Sequence, residues 1–504
     1  MKQQHSEEIE RRKDRLEQRL GRDSWPERGG RVLAGGNEQL SMCERVRATA
    51  VGGIGLVHRL VRQIGLPRLI DDAVQVFKVH CPYHESDYVL NIAYNIVCGG
   101  RTLDDIELRR QDEAYMDALG AVRIPDPTTA GDFLRRLGRG HIDCLSEAIN
   151  TARTRVWKKN KRSFFERAII DVDGTIAGTE GECKEGMDMS YKGIWGYAPL
   201  LVTLANTGEI LYTRNRPGNR PSHDGCFDYL DPAVELVRSA GFRHVRLRGD
   251  GHFSLTDDFD YWTKQKVEFV FGVSAHSKVV GIAEGFEESK WRPLLREGRV
   301  SKSRRGPRKP RVKRAIIEER GYRHLELEHE EYTEFAYRPR KCKRDYRLVV
   351  LRKTISVMEG QALLIPEIRY HFYITNAPKS ELTARQVIRE SNQRCNQENL
   401  IEQTKNGVHA MRMPCDTLLA NDAYMVIACL AWNVKAWMAQ LWPDREQGEQ
   451  LRRMEFRRFV ASIIAIPCQV VRTGRRIVHR FLAYSDWLEA IFRAHARFRR
   501  LVFV

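Results

Sequence analysis

Two glutamates interrupt a stretch otherwise made mainly of amides and basic residues: Glu398 and Glu402 in SNQRCNQENLIEQTKNG, residues 391–407. A carboxylate in such company is either a solvated charge or a ligand that holds a divalent cation against a phosphate. In the second case Arg394 and Lys405 would neutralise the substrate. Other acids bear on the choice. Asp171 and Asp173 stand two apart in RAIIDVDGTIAG, so a strand there shows both on one face. Asp250 falls at the carboxyl end of a further strand, in LRGDGHF. In open α/β sheets, sites form beyond those ends. If the sheet closes in this way, Asp173 and Asp250 meet on neighbouring strands, and the helix carrying Glu398 can pack beside them. Three clustered carboxylates repel one another unless a cation neutralises them. Hard oxygen ligands select Mg²⁺ or Mn²⁺. Two such ions, about 3.5–4 Å apart, can activate the attacking oxygen and stabilise the leaving oxygen of a phosphodiester.

The elements that must position these acids follow from changes in hydrophobic period. Residues 1–44 form a charged, glycine-rich tail, a helix followed by a linker. Over 45–165 the apolar spacing is helical. Two short helices flank RIPDP at 123–127, either as a DNA-reading pair or, the preferred reading, within a helical packing domain. From 166 to 275 the order becomes β-β-β-α-β-α-β, an α/β layer whose first helix is N-capped near Ser222 and stopped at Gly241. Residues 276–378 read as an insertion of several short strands with a basic run. In the segment 379–442 a long helix starts near Lys379 and passes through the two glutamates. A second helix there, at 416–442, is apolar enough to be buried. Residues 443–504 form the C-terminal region.

Composition narrows the partners. The 504 residues, 42% apolar and 30% charged, describe a soluble chain of several domains. Lys and Arg number 84 against 66 Asp and Glu, a net charge of +18 that suits a polyanion. The run RVSKSRRGPRKPRVKR at 299–314 has nine basic residues and no acid, and Arg304, Arg305, Arg308, Lys309 and Arg311 are expected to touch DNA phosphates. Trp291, Tyr322, Tyr332 and Tyr337 near it could stack on a base, with core packing the safer expectation. The longest apolar run, MVIACLAW, falls far short of the roughly 20 residues a spanning helix needs, so no membrane partner is expected. The N-terminus has no apolar core, which predicts no secretory signal and a cytoplasmic location. Eleven cysteines without a C-x2-C pair predict free thiols, not a zinc cluster.

SNQRCNQENLIEQTK is similar to the signature Y-x2-R-x3-E-x6-K of DDE transposases from bacterial insertion sequences. Arg394, Glu398 and Lys405 keep its spacing, and Ser391 stands where the tyrosine is usual. Glu398, not Glu402, preserves both basic spacings. IIDVDGT resembles the segment of the first catalytic aspartate and assigns it to Asp173; LRGDGHF resembles that of the second, Asp250. NRPGNRPSHDG and MPCDTLLANDAYMVIACLAWN resemble the insertion-sequence 1380 group. The resemblance implies an α/β fold: an RNase H-like catalytic domain interrupted by a mostly β insertion, a helical N-terminal domain that helps bind transposon ends, and a helical C-terminal region. It implies a homodimer on paired double-stranded ends, acting in the bacterial cytoplasm at the nucleoid. Such an enzyme binds terminal inverted repeats and cuts with a pair of Mg²⁺ or Mn²⁺ ions held by Asp173, Asp250 and Glu398. It then joins the freed 3′-hydroxyl to target DNA without a covalent enzyme intermediate, unlike tyrosine or serine recombinases. Two rivals remain: an RNase H-like structure-specific nuclease, and a noncatalytic DNA-binding protein derived from a transposase.

Overall fold

The computed structural model describes residues 3–21, 36, 38–42, 46–80, 82–296, 316, 319–321, 323–359, 362–363, 366–474 and 476–503. The chain gathers into two compact units. One contains Met1–Phe164, Thr175–Arg220 and Asn399–Val504; the other contains Phe165–Gly174 and Pro221–Glu398.

The second of these units is built on strands β1 (Arg167–Gly174), β2 (His244–Gly249), β3 (Glu268–Val273), β4 (Arg292–Pro293), β5 (Arg323–Tyr337), β6 (Tyr346–Glu359) and β7 (Glu367–Thr375). Their order is β4-β5-β6-β7-β3-β2-β1. β1, β2 and β3 are mutually parallel, with Asp171 opposite Arg248 and Arg248 opposite Val270. Parallel strands need crossovers, and helices α1 (Phe227–Ser239) and α2 (Phe259–Lys264) precede β2 and β3. Ile170, Val172, Val245, Leu247, Phe269 and Phe271 are buried, and Phe259 stacks on Phe269 at 4.3 Å between centroids. The strands β4 to β7 continue this same sheet in antiparallel fashion, β7 joining β3 at Phe372 opposite Val273.

Two expectations change here. The strands β5 and β6 are 15 and 14 residues long, not short. Their charged residues pair across the ladder, as Arg352 with Glu331 and Arg347 with Glu334, so charge does not end the strand. The helix α1 begins at Phe227, not near Ser222, because Gly225 in the left-handed region closes a turn before it.

The first unit surrounds the helix Leu418–Gln440, buried from Ala420 to Ala439. Helices Ile54–Ile64, Glu85–Val97, Pro127–Arg136 and Arg139–Trp157 pack on it, and Leu488–Arg500 packs on Ile54–Ile64. The apolar face of Pro127–Arg136 thus serves the core, with Asp126 capping its first turn through the Thr129 N–H at 2.8 Å. Several polar residues of the central helix are engaged with neighbours. Asn433 exchanges two bonds of 2.9 Å with the Ile210 backbone, fastening the hairpin Leu200–Leu204/Glu209–Arg214. Asp422 accepts from the Asn215 N–H and from Arg139, each at 2.6 Å. Each cysteine with a described side chain is a free thiol. Among the described residues no helix is long and apolar enough to cross a membrane.

Candidate active site

The face shared by Asp171 and Asp173 is filled by charge. Arg248, directly across from Asp171, donates to both its carboxylate oxygens at 2.6 and 2.8 Å, and the pair is buried. Arg248 also donates to Glu390 at 3.0 Å on helix α3 (Ala384–Asn392), and Arg246 joins Glu390 at 3.4 Å to Glu268 at 2.6 Å. Arg167 also pairs with Glu268. Three arginines therefore alternate with three carboxylates. Burial would lower the Arg248 pKa, but Asp171 and Glu390 more than reverse this and keep it charged. Sequence reading missed this ladder, although arginines at alternate positions of an apolar strand, HVRLRG, were its visible signal. It commits Asp171 to structure.

Asp173 is two residues further along β1, at its carboxyl end. It accepts from the Gly174 N–H at 2.8 Å and from Arg394 at 3.2 Å. Burial pushes its pKa up to about 6; Arg394 works against this, and the charge of Asp250 adds to it. Asp250 follows β2 and accepts from the His252 N–H at 2.9 Å, capping the short helix Gly251–Phe253. Glycine at 272 lets this loop lie on β3, since a Cβ there would stand 2.8 Å from the Gly251 nitrogen. The structure thus brings Asp173 and Asp250 together at the ends of adjacent parallel strands.

Glu398 is placed differently. The expected long helix is broken: α3 ends at Asn392, a turn holds Gln393 and Arg394, and helix α4 (Cys395–Glu402) follows. Its last turn leads into a wider one at Gln403–Gly407. Ser391 and Asn392 are weak helix formers that compete for backbone hydrogen bonds, and the Arg394 N–H closes on Ser391 at 3.2 Å. Arg394 therefore lies in the break, not one helical turn ahead of Glu398, and from there it reaches Asp173. Glu398 and Glu402 are both exposed. Among the described residues no three His, Cys, Asp or Glu are gathered closely enough to hold a metal ion. Lys405, in the first unit, donates to the Ile176 carbonyl at 3.0 Å. Arg304, Arg305, Arg308, Lys309 and Arg311, with the rest of 299–314, lie outside the described residues, as does Tyr322. Trp291 is buried under Arg352, 4.2 Å from its ring, and Tyr332 and Tyr337 are half-buried.

Two mutually repelling carboxylates, one with a raised pKa and an arginine already offsetting its charge, have the donor chemistry that a hard dication fits. Arg394 adds a second clue: its Nε is buried and has no acceptor among the described residues. A donor left in that state is costly, and a phosphate oxygen would satisfy it.

By fold this is a mixed α/β protein with a carboxylate pair at its parallel strand ends. The chain belongs to the family Transposase DDE domain group 1, whose model matches residues 46–503. It is also similar to the piggyBac transposase of a synaptic complex with hairpin DNA, solved by cryo-electron microscopy. That similarity has a TM-score of 0.36 and 11% identity, with 82% of each chain covered. No curated protein matches the chain.

Proposed function

We propose that the chain is a DNA transposase of the insertion-sequence 1380 type with an RNase H-like catalytic domain. In this reading a homodimer binds paired terminal inverted repeats, cleaves at the transposon ends and joins the 3′-hydroxyls to target DNA. The observation that carries it is the Asp173–Asp250 pair at adjacent parallel strand ends, in a chain of the DDE family. Asp173, Asp250 and Glu398 would hold Mg²⁺, with Mn²⁺ as a substitute, and Glu398 joins the pair when DNA is bound. Such ions supply stabilisation of negative charge on the attacking and leaving oxygens.

The remaining work falls to the chain itself. Asp173 and Asp250 bind as carboxylates, so the proton that Asp173 retains below about pH 6 must leave first. Arg394 turns its free donor to a phosphate oxygen, and Lys405 acts on phosphate as a point charge. In cleavage, water forms a new bond to phosphorus while the bond to the 3′ oxygen breaks, and that oxygen leaves as a hydroxyl. In joining, this hydroxyl attacks a target phosphodiester and expels the target's 3′ oxygen. One bond forms for each broken, so neither step needs a protein nucleophile or an outside energy source.

The test is joining. Precut end DNA with a free 3′-hydroxyl is mixed with supercoiled target and Mg²⁺, and joined product is separated on a gel. Wild-type protein should join, while Arg394→Ala and Lys405→Ala should lose most of the product. Cutting without joining, even in Mn²⁺, would replace the transposase with a nuclease. Binding with neither reaction would leave a noncatalytic DNA-binding protein.

A further inference from the structure

A small sheet in the first unit leaves large apolar side chains in solvent. Strands Ala177–Gly178, Asp188–Met189 and Trp195–Tyr197 form an antiparallel tongue, with Met189 opposite Trp195. Its turn is closed by the Ser190 N–H on the Ile194 carbonyl and the Gly193 N–H on the Ser190 carbonyl, both 2.9 Å. The Ile194 N–H adds a bond of 3.0 Å to the Ser190 hydroxyl, and Gly193 takes the left-handed conformation such a turn requires. Ser190 is buried, so the turn is a built feature. Yet Met189 is 50% exposed, Tyr191 74%, Ile194 42% and Trp195 39%. Held outward by a hydrogen-bonded turn, these groups add little to folding, and covering them with a partner would be favourable.

Charge at the tip identifies the partner. Residues 189–197 contain no acid. Lys192 lies 5.4 Å from the Tyr191 ring centroid, and its charge also acts on Lys405, which the Ile176 carbonyl holds. Burial lowers the Lys405 pKa; Glu402 opposes the shift and Lys192 adds to it. Lys192 beside the Tyr191 ring, with Lys405 held in the same unit, gives this surface cations that suit an anionic partner. A second copy of the chain would bring the same cations against each other across a two-fold interface, which disfavours that occupant.

We infer that the 189–195 tip is a stacking platform for an unpaired DNA base, with Lys192 and Lys405 on the flanking phosphates. The inference rests on the DNA-processing reading above and adds to it a surface for single-stranded DNA. Every base has a π-face, so such a platform tolerates any sequence.

The test uses the full chain and two duplexes of one sequence, one blunt and one with an unpaired 3′ tail carrying 2-aminopurine. Wild-type protein should bind the tailed duplex roughly ten-fold or more tightly and quench the 2-aminopurine on binding. A double variant, Tyr191→Ala with Trp195→Ala, should lose both effects while its blunt-duplex affinity stays within about two-fold, because backbone contacts dominate there. Lys192→Gln should flatten the salt dependence of tailed-duplex binding by about one unit of slope. Circular dichroism checks that the variants fold. A double variant that keeps the tail preference overturns the platform. So does a wild type that binds both duplexes equally, and that result leaves the transposase reading standing. Loss of self-association in sedimentation with DNA binding unchanged would assign the tip to a second copy instead. A wild type that binds neither duplex removes the DNA reading and the platform together.

Discussion

Asp171 and Asp173 occupy one strand yet meet different neighbours, and alanine at each should fail in a different way. Asp171→Ala leaves Arg248 buried beside only Glu390, and breaking such a pair costs about 3–5 kcal/mol. Its melting temperature should fall clearly, and any loss of cleavage should accompany loss of fold. Asp173→Ala removes a carboxylate that burial and Asp250 already disfavour. It should melt like the wild type or slightly higher, bind DNA, and fail to cut in Mg²⁺. Asp250→Ala and Glu398→Ala should share that last phenotype. Thermal melts beside a cleavage gel decide the matter: if Asp173→Ala cuts at the wild-type rate, it is not a ligand. Sequence spacing placed both aspartates on the strand, but it could not separate their roles. The separation lies in the register of β1 on β2, which sets Arg248 opposite Asp171, and register is a long-range property.

At the scale of elements, strong periodicity was legible and local interruptions were not. The apolar run around MVIACLAW did become a buried helix, and the quoted motifs NRPGN and ANDAYM meet through Asp422 and the Asn215 N–H. The break at Gln393 and Arg394 was missed because a few weak helix formers can end a helix that its amphipathic spacing would continue. Lys435 gives the central helix a pH signature. Burial, and then the Arg452 charge, lower its pKa from 10.5 to about 7, while its ammonium lies 4.1 Å from the Trp432 ring centroid. Between those two values the unfolded chain holds a proton that the folded chain has released. Stability must therefore rise with pH across this window, by at most about 1.4 kcal/mol per pH unit from this group. The penalty is complete below pH 7. Lys435→Met should raise the melting temperature most at pH 6, and its advantage should shrink steadily toward pH 10. Parallel melting curves across that range would contradict a buried, titrating Lys435.

For the whole molecule the informative quantity is where its charge resides. The chain passes between its two units four times, an arrangement that no shift in composition marks. The charge, by contrast, is plain in the sequence: the run 299–314 contributes nine positive charges to a net +18. Replacing its lysines and arginines with glutamine halves the net charge without touching Asp173, Asp250 or Arg394. If Arg304, Arg305, Arg308, Lys309 and Arg311 bind phosphates, each lost contact lowers the slope of log affinity against log salt by about one. Affinity for transposon-end and unrelated duplexes should then fall together, because phosphates carry no sequence information. The gap between wild type and variant should be widest at low salt and should close as salt rises, since screening removes what the substitution has already removed. Anisotropy titrations at several salt concentrations read both quantities. A loss confined to end DNA, with an unchanged slope on unrelated DNA, would mean that the run reads bases and is not a backbone contact.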